Sequence, residues 1–493
     1  MAKATSSANK ITKINVRMYR AGTGDFFILQ FKSRNSVKFN MMIDCGCINA
    51  GKTTFVPMIE DLQSITGGVI DLLVVTHEHA DHINGFEKSA LMFKQFTFKN
   101  VWFAWTEDEN DPIANEYRAN HSELGLAINL ATNKLNQLVK EKFYEETYEK
   151  EFAAPLMIEG RKKFIHALSD LNVMNRTNGL AVGSVLPSMV KLFTDFNVIK
   201  AGTNIEFLEP GDFKVDLPGA KGIRFYVLGP PRKRTYLNLT ERKGETFEKR
   251  EEKSEVDHAF VSALAASDTT FTSNIDAFDH SYESGEKSSP IQKQYDAKSN
   301  TWRAIEHDWL YSAGTLAMRY ERSINNTSLA LAIQFEETEK VLLFPGDAEF
   351  GNWESWHDEL EWPVKINGNT INKKAEYFLN KTVFYKVGHH FSHNGSPLAK
   401  GVGMMTSPEL AAMATLDFKR INHTWLNTMP NDLLGAELLR KTKGQLYFCG
   451  DRRNILPNIK TDRVTIKKTH ENAFNTANKK FDGKIFIDYE VKA

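Results

Sequence analysis

The densest chemistry in this chain is T-H-E-H-A-D-H at 76–82, where His77, His79, Asp81 and His82 follow directly on the apolar run VIDLLVV. Imidazole nitrogens and a carboxylate oxygen suit zinc, manganese or iron, and the cluster contains no thiolate. On an extended exit from a strand, His77 and His79 project to one side because side chains alternate. Asp81 and His82 then turn toward a neighbouring position. That layout suits two metals ~3.5–4 Å apart, with His77 and His79 on one and Asp81 and His82 on the other.

The elements that must position these residues are legible as short strands. ITKINVRMYR, DFFILQF and FNMMIDC are β-branched and aromatic runs broken by turns, TTFVPMIEDLQSI reads as a helix, and NVWFAW reads as a further strand. VIDLLVVT is so apolar that both its faces must be covered, which predicts helices outside sheet. Residues 106–199 carry long charged helical patterns and read as a helical insertion. Strand patterns return with NIEFLEP and IRFYVLGPP, and the polar stretch 232–299 reads as a surface insert with little to form a core. SLALAIQF, VLLFPGD and TVFYKVGHH resume the β pattern. The remainder, 401–493, holds a helix (NDLLGAELLRKTKG) and two strands (QLYFCG, KIFIDYEV), read as an α/β extension packing on the main domain.

H-E-H-A-D-H resembles the H-x-H-x-D-H signature of the metallo-β-lactamase superfamily, and other landmarks follow in the order that superfamily requires. MMIDCG, with Asp44, is similar to the strand-end aspartate before the signature. FPGDAE, with Asp347, resembles the aspartate that bridges both metals, and YKVGHHFSHNGS resembles the last ligand loop. AGTGDFFIL, NNTSLALAIQF and KVGHHFSHNGS are closest to the hydrolase domain of the bacterial DNA-uptake competence channel and its soluble relatives. The resemblance covers about residues 12–105 and 200–400. It implies an α/β fold, an αββα sandwich of two mixed β-sheets with the metals at one edge.

It also implies two divalent ions, Zn²⁺ or Mn²⁺, held by His77, His79, Asp81, His82, Asp347 and His389. Of the tandem His389–His390, the residue nearer the strand end is favoured as ligand. Asp81 would ligate and steer the proton, and His390 and His393 could contact a phosphate or protonate a leaving oxygen. Asp44 is expected to orient a ligand histidine, while Asp25 and Asn326 read as turn-capping residues that shape the site floor. A third histidine on the first metal is unassigned. His121, His166 and His258 lie in the right interval, but none follows an obvious strand end.

The implied chemistry is hydrolysis, with a metal-activated hydroxide attacking phosphorus. A phosphodiesterase or nuclease comes first. A hydrolase of a small ester, lactone, thioester, β-lactam or cyclic nucleotide is the alternative, and a metal-binding scaffold or sensor the third reading. Composition sets the remaining bounds. With 62 Lys+Arg against 62 Asp+Glu there is no global field toward nucleic acid or membrane, although a local basic groove stays open. PRKRTYLNLTERK and KTDRVTIKK are basic stretches best read as solvated surface. The tryptophans of WFAWTEDEND and FGNWESWHDELEW are best read as packing. Three cysteines argue against a disulfide framework, and a polar N-terminus with no long apolar run predicts a cytoplasmic protein without membrane contact. Nucleic acid is the expected substrate, and the helical insertion could dock a protein partner.

Overall fold

The apolar runs that read as strands pair into two sheets. The computed structural model describes residues 10–140, 168–169, 171–176, 186–246, 324–358, 360–419, 421, 429–461 and 463–493. By contact density the chain divides into two units. The first comprises Met1–Asn115, Pro187–Arg250 and Arg322–Ala493, and the second Glu116–Leu186 and Glu251–Glu321.

In the first unit one seven-stranded sheet contains β1 (Lys13–Tyr19), β2 (Phe27–Ser33), β3 (Ser36–Ile43), β4 (Val69–Val74), β5 (Thr97–Ala104) and β6 (Asn204–Leu208). The other contains β7 (Phe213–Val215), β8 (Ile223–Gly229), β9 (Ala330–Phe335) and β10 (Val341–Phe344). A separate hairpin, β11 (Trp362–Ile366) and β12 (Asn369–Lys373), precedes the second sheet's last three members, β13 (Thr382–Lys386), β14 (Ala411–Ala414) and β15 (Leu446–Phe448). β16 (Phe486–Lys492) returns to the first sheet beside β1, giving the orders β16-β1-β2-β3-β4-β5-β6 and β15-β14-β13-β10-β9-β8-β7.

Both sheets are mixed. β3 to β6 run parallel, as do β10, β13, β14 and β15, whereas the remaining pairings are antiparallel. The carboxyl ends of β3, β4, β10 and β13 all open into loops bearing His or Asp, and clefts in such sheets form where parallel strands end.

One apolar core takes side chains from both sheets. Phe27 meets Phe344 edge-on at 5.8 Å, and Trp102 meets Phe225 at 5.5 Å. A second core lies between the first sheet and the helices Val56–Thr66, Ala80–Lys88 and Met189–Asp195. A third joins the other sheet to Phe350–Asp358, Ala375–Asn380 and Asp432–Lys441. This layering of helix, sheet, sheet and helix is compatible with an αββα sandwich.

Two boundaries differ from those read in the sequence. Residues 187–199 belong with the first unit, because Met189, Leu192 and Phe193 are buried in its outer core. The C-terminal hundred residues are built into both sheets through β14, β15 and β16. The second unit's described residues are mostly helical. They include most of the helix Pro112–Lys140, where Tyr117 packs on His121 and Thr132 accepts from Asn172 Nδ2 at 2.7 Å. The rest of the helical insertion and residues 247–299 of the polar insert lie outside the described residues, as do His166 and His258. No helix among the described residues is long and apolar enough to cross a membrane.

Candidate metal centre

β4 ends at Val74, and the residues that follow it, His77, His79, Asp81 and His82, are buried. Ala80–Lys88 begins as a helix with His79 at its N-cap position, so Asp81 and His82 occupy its first turn. That turn presses backbone to backbone on the loop after β3. A Cβ on Gly46 would stand 2.1 Å from the Asp81 carbonyl carbon, and one on Gly24 would stand 2.5 Å from its oxygen. The amides of Asp25 and Cys45 donate to the carbonyls of Asp81 and His82 at 3.1 and 2.8 Å. Glycine is required here because only a missing side chain allows this approach.

His77 Nε2 and His79 Nδ1 hydrogen-bond to each other at 3.0 Å, which is also close to the ~3.3 Å that two nitrogens take on one tetrahedral ion with ~2.0 Å bonds. Beyond them, Asp347 Oδ2 is 3.1 Å from His82 Nε2 and 2.9 Å from His390 Nε2, and His390 Nε2 is also 2.9 Å from Asp81 Oδ2. These short approaches lack hydrogen-bond angles. His82 Nε2, His390 Nε2 and both Asp81 oxygens are buried without a hydrogen-bond partner, as is His79 Nε2. Buried polar atoms are ordinarily satisfied, and facing imidazole nitrogens and carboxylate oxygens at these distances form a group that could hold a cation. The donor set, imidazole with carboxylate, fits a divalent transition metal.

A buried group of Asp25, His82, Asp347 and His390 could hold a metal ion. Within it Asp25 is the least suited to ligation. Its Oδ1 accepts from Thr415 Oγ1 and its Oδ2 forms an ion pair with Lys386 Nζ, both at 2.6 Å, and it lies 3.8 Å behind the Nδ1 atoms of His82 and His390. Asp25 therefore supports the histidines from the rear, a larger part than capping a turn. Asp44 acts likewise on His82, accepting from its Nδ1 at 2.7 Å while also accepting from the Thr76 amide and hydroxyl at 2.8 and 2.6 Å. Thr415 Oγ1 lies 3.0 Å from His390 Nδ1. Such partners fix which ring nitrogen is left to face a metal.

The tandem histidines divide differently from the sequence reading. His389, His390 and Phe391 all have left-handed φ, 43°, 44° and 75°, in a three-residue 3-10 turn. This strained run sends His390 inward to Asp81 and Asp347. His389 instead turns to Ser392 Oγ at 2.7 Å and Asn325 Nδ2 at 3.2 Å, outside the converging atoms. Of the two, it is His390 that belongs to the buried group that could hold a metal ion. His393 Nε2 lies 3.4 Å from Glu241 Oε2. Asn326 is fully buried and ties loops together, donating to the Leu237 and Leu239 carbonyls and accepting from the amides of Glu349 and Asn352.

Electrostatics separates the histidines into two classes. Burial pushes His77 and His79 below their ordinary range and His389 down to about 3. Burial works the same way on His82 and His390, but carboxylates outweigh it. His82 is held well above its ordinary value by Asp347, Asp25, Asp44 and Asp81, and His390 is raised to about 9 by Asp347 and Asp81. Burial raises the carboxyls of Asp81 and Asp347, yet neighbouring cations win and both stay ionised, Asp81 at about 2. Without metal, then, protons on His82 and His390 stand where a cation's charge is wanted.

Sequence reasoning missed Lys386, Thr415, Asn325 and Glu349. A usable signal existed for Lys386, a lone lysine ending the apolar run TVFYK just before the ligand loop, because a buried ammonium demands carboxylates. The tryptophans Trp102, Trp105, Trp353 and Trp356 are fully buried, and the basic stretches contain residues paired within the chain, Arg232 with Asp111 and Arg242 with Glu354, both at 2.6 Å. Compared with protein-family models the chain matches none, and no curated protein matches it either.

Proposed function

We propose that this protein is a metal-dependent hydrolase with a dinuclear centre, related to the metallo-β-lactamase superfamily and acting on phosphodiesters. The observation that carries the reading is the approach of His82 and His390 to Asp347, with Asp81 against His390 and with His77 and His79 paired on the same loop. Charge supports it. Four buried carboxyl groups, Asp25, Asp44, Asp81 and Asp347, face one buried ammonium, Lys386, and two raised imidazoles, His82 and His390, whose protons divalent cations would replace. Bound divalent ions would bring a water near neutral pKa to the site and neutralise charge on the attacked group. The chain's own part is to hold those ligands rigidly. Asp44 and Asp25 orient the imidazoles, and the Gly24 and Gly46 contacts fix the turn carrying Asp81 and His82.

A second reading, hydrolysis of a small ester or cyclic nucleotide, is favoured by depth. His77, His79, Asp81, His82, Asp347 and His390 are each no more than 1 % exposed, so a long polymer would have to present a single extruded group.

The test is to strip the protein of metal and add back Mn²⁺ or Zn²⁺. Labelled single- and double-stranded DNA and RNA, a cyclic nucleotide and a small phosphodiester are then assayed alongside the doubly substituted protein carrying His79→Ala and Asp81→Ala. Metal-dependent cleavage that the substitutions abolish is the expected result, and the substrate cleaved chooses between the readings. Tight metal binding without turnover of any phosphodiester would end the phosphodiesterase assignment.

A further inference from the structure

The carboxylate of Asp347 is divided between two tasks. Its Oδ2 faces His82 Nε2 and His390 Nε2, whereas its Oδ1 accepts from Lys386 Nζ at 3.0 Å. Lys386 is the last residue of β13, and its side chain is 1 % exposed. The buried ammonium donates to the Gly346 carbonyl at 2.9 Å and to Asp347 Oδ1, and forms an ion pair with Asp25 Oδ2 at 2.6 Å. Its three nearest partners all belong to the chain. Asp25 is in turn held by the Thr415 hydroxyl, the same hydroxyl that meets His390 Nδ1. One chain of contacts thus runs from Asp347 through Lys386, Asp25 and Thr415 to His390.

We propose that Lys386 is a positioning residue that occupies one oxygen of Asp347, so that this carboxylate offers the centre a single oxygen, Oδ2, and cannot chelate one ion with both. The inference rests on the metal-centre reading above. A cation beside a metal site repels the metal, so by charge alone Lys386 weakens binding. A lysine that acts only by charge and one that acts by fixing Asp347 therefore predict opposite signs when the ammonium is removed.

The experiment measures Zn²⁺ and Mn²⁺ affinity and stoichiometry of the full-length protein by competition with a chromophoric chelator. Wild type, Lys386→Met and Lys386→Arg are compared, with circular dichroism and thermal unfolding of the metal-free forms as the check on folding. Positioning predicts that Lys386→Met binds ~10–100-fold more weakly although the site has become more negative. Lys386→Arg, which keeps the charge but not the compact ammonium that meets these three partners, is weakened too. If Lys386→Met does not fold, Lys386→Arg decides alone. Unchanged or tighter binding in the folded variants overturns the positioning role while leaving the metal centre intact, whereas a wild-type protein that binds neither ion overturns the centre itself.

Discussion

At the scale of single residues, the centre separates side chains that touch the converging point from those that hold them there. His390 and His389 make the sharpest pair, adjacent in sequence yet directed apart by consecutive left-handed residues. His390→Ala is expected to lose divalent-ion affinity by ~100-fold or more, whereas His389→Ala, whose ring turns to Ser392 and Asn325, should stay within about ten-fold of wild type, below the ~10–100-fold that loss of a ligand's supporting partner costs. Isothermal titration with Zn²⁺ on both variants checks this. A larger loss in His389→Ala would return the ligand to the position favoured by sequence. The pair also marks the limit of reading ligands from spacing. A motif gives the residue types and their order, but the inward member depends on φ values that two histidines in tandem do not encode.

At the scale of elements, the site depends on two backbones meeting where the loop after β3 passes under the helix Ala80–Lys88. Gly46 has no room for a Cβ against Asp81 and His82, so Gly46→Ala must displace the turn that carries both. Overpacking of this kind costs about 1–3 kcal/mol, and here it should lower the melting temperature and the metal affinity together. A variant with reduced stability but unaltered metal affinity would show that the turn is not what sets the ligand geometry. Most strands were legible because their apolar, β-branched runs are bounded by turn residues, as in IRFYVLG for β8 and ALAIQF for β9. β14 was not, since AAMA is a helix-forming composition that becomes a strand only because parallel neighbours stand on both sides. Asp44, His82 and Asp347 were legible as candidates from the motif. The Asp25–Lys386 link was not, for it joins positions far apart in sequence that only the closed sandwich brings to 2.6 Å.

At the scale of the whole molecule, the centre couples pH to stability, and a bound metal would reverse the sign. In the metal-free protein His390 is raised from 6.5 to about 9, and His82 well above 6.5. Between pH 6.5 and ~8.5 the folded chain holds protons on them that an unfolded chain has released, so stability falls as pH rises. For His390 alone the whole shift is worth on the order of 3 kcal/mol. Below pH 6.5 the depressed histidines His77, His79 and His389 take over, and stability falls as pH falls. Thermal unfolding in chelator should therefore show a melting temperature that peaks near pH 6.5, whereas saturating Zn²⁺, which displaces the protons, should move the maximum upward. A metal-free melting temperature that is flat or rising between pH 6.5 and 8.5 would contradict this assignment of protons. The pairing of β1 with β16 has a different consequence. Lys13 finds its partner at Lys492, so a ribosome adding ~5–20 residues per second leaves that edge of β1 open for roughly 25–95 s. During synthesis the first sheet thus waits with a bare edge strand, the state most exposed to aggregation and the one a chaperone would have to shield.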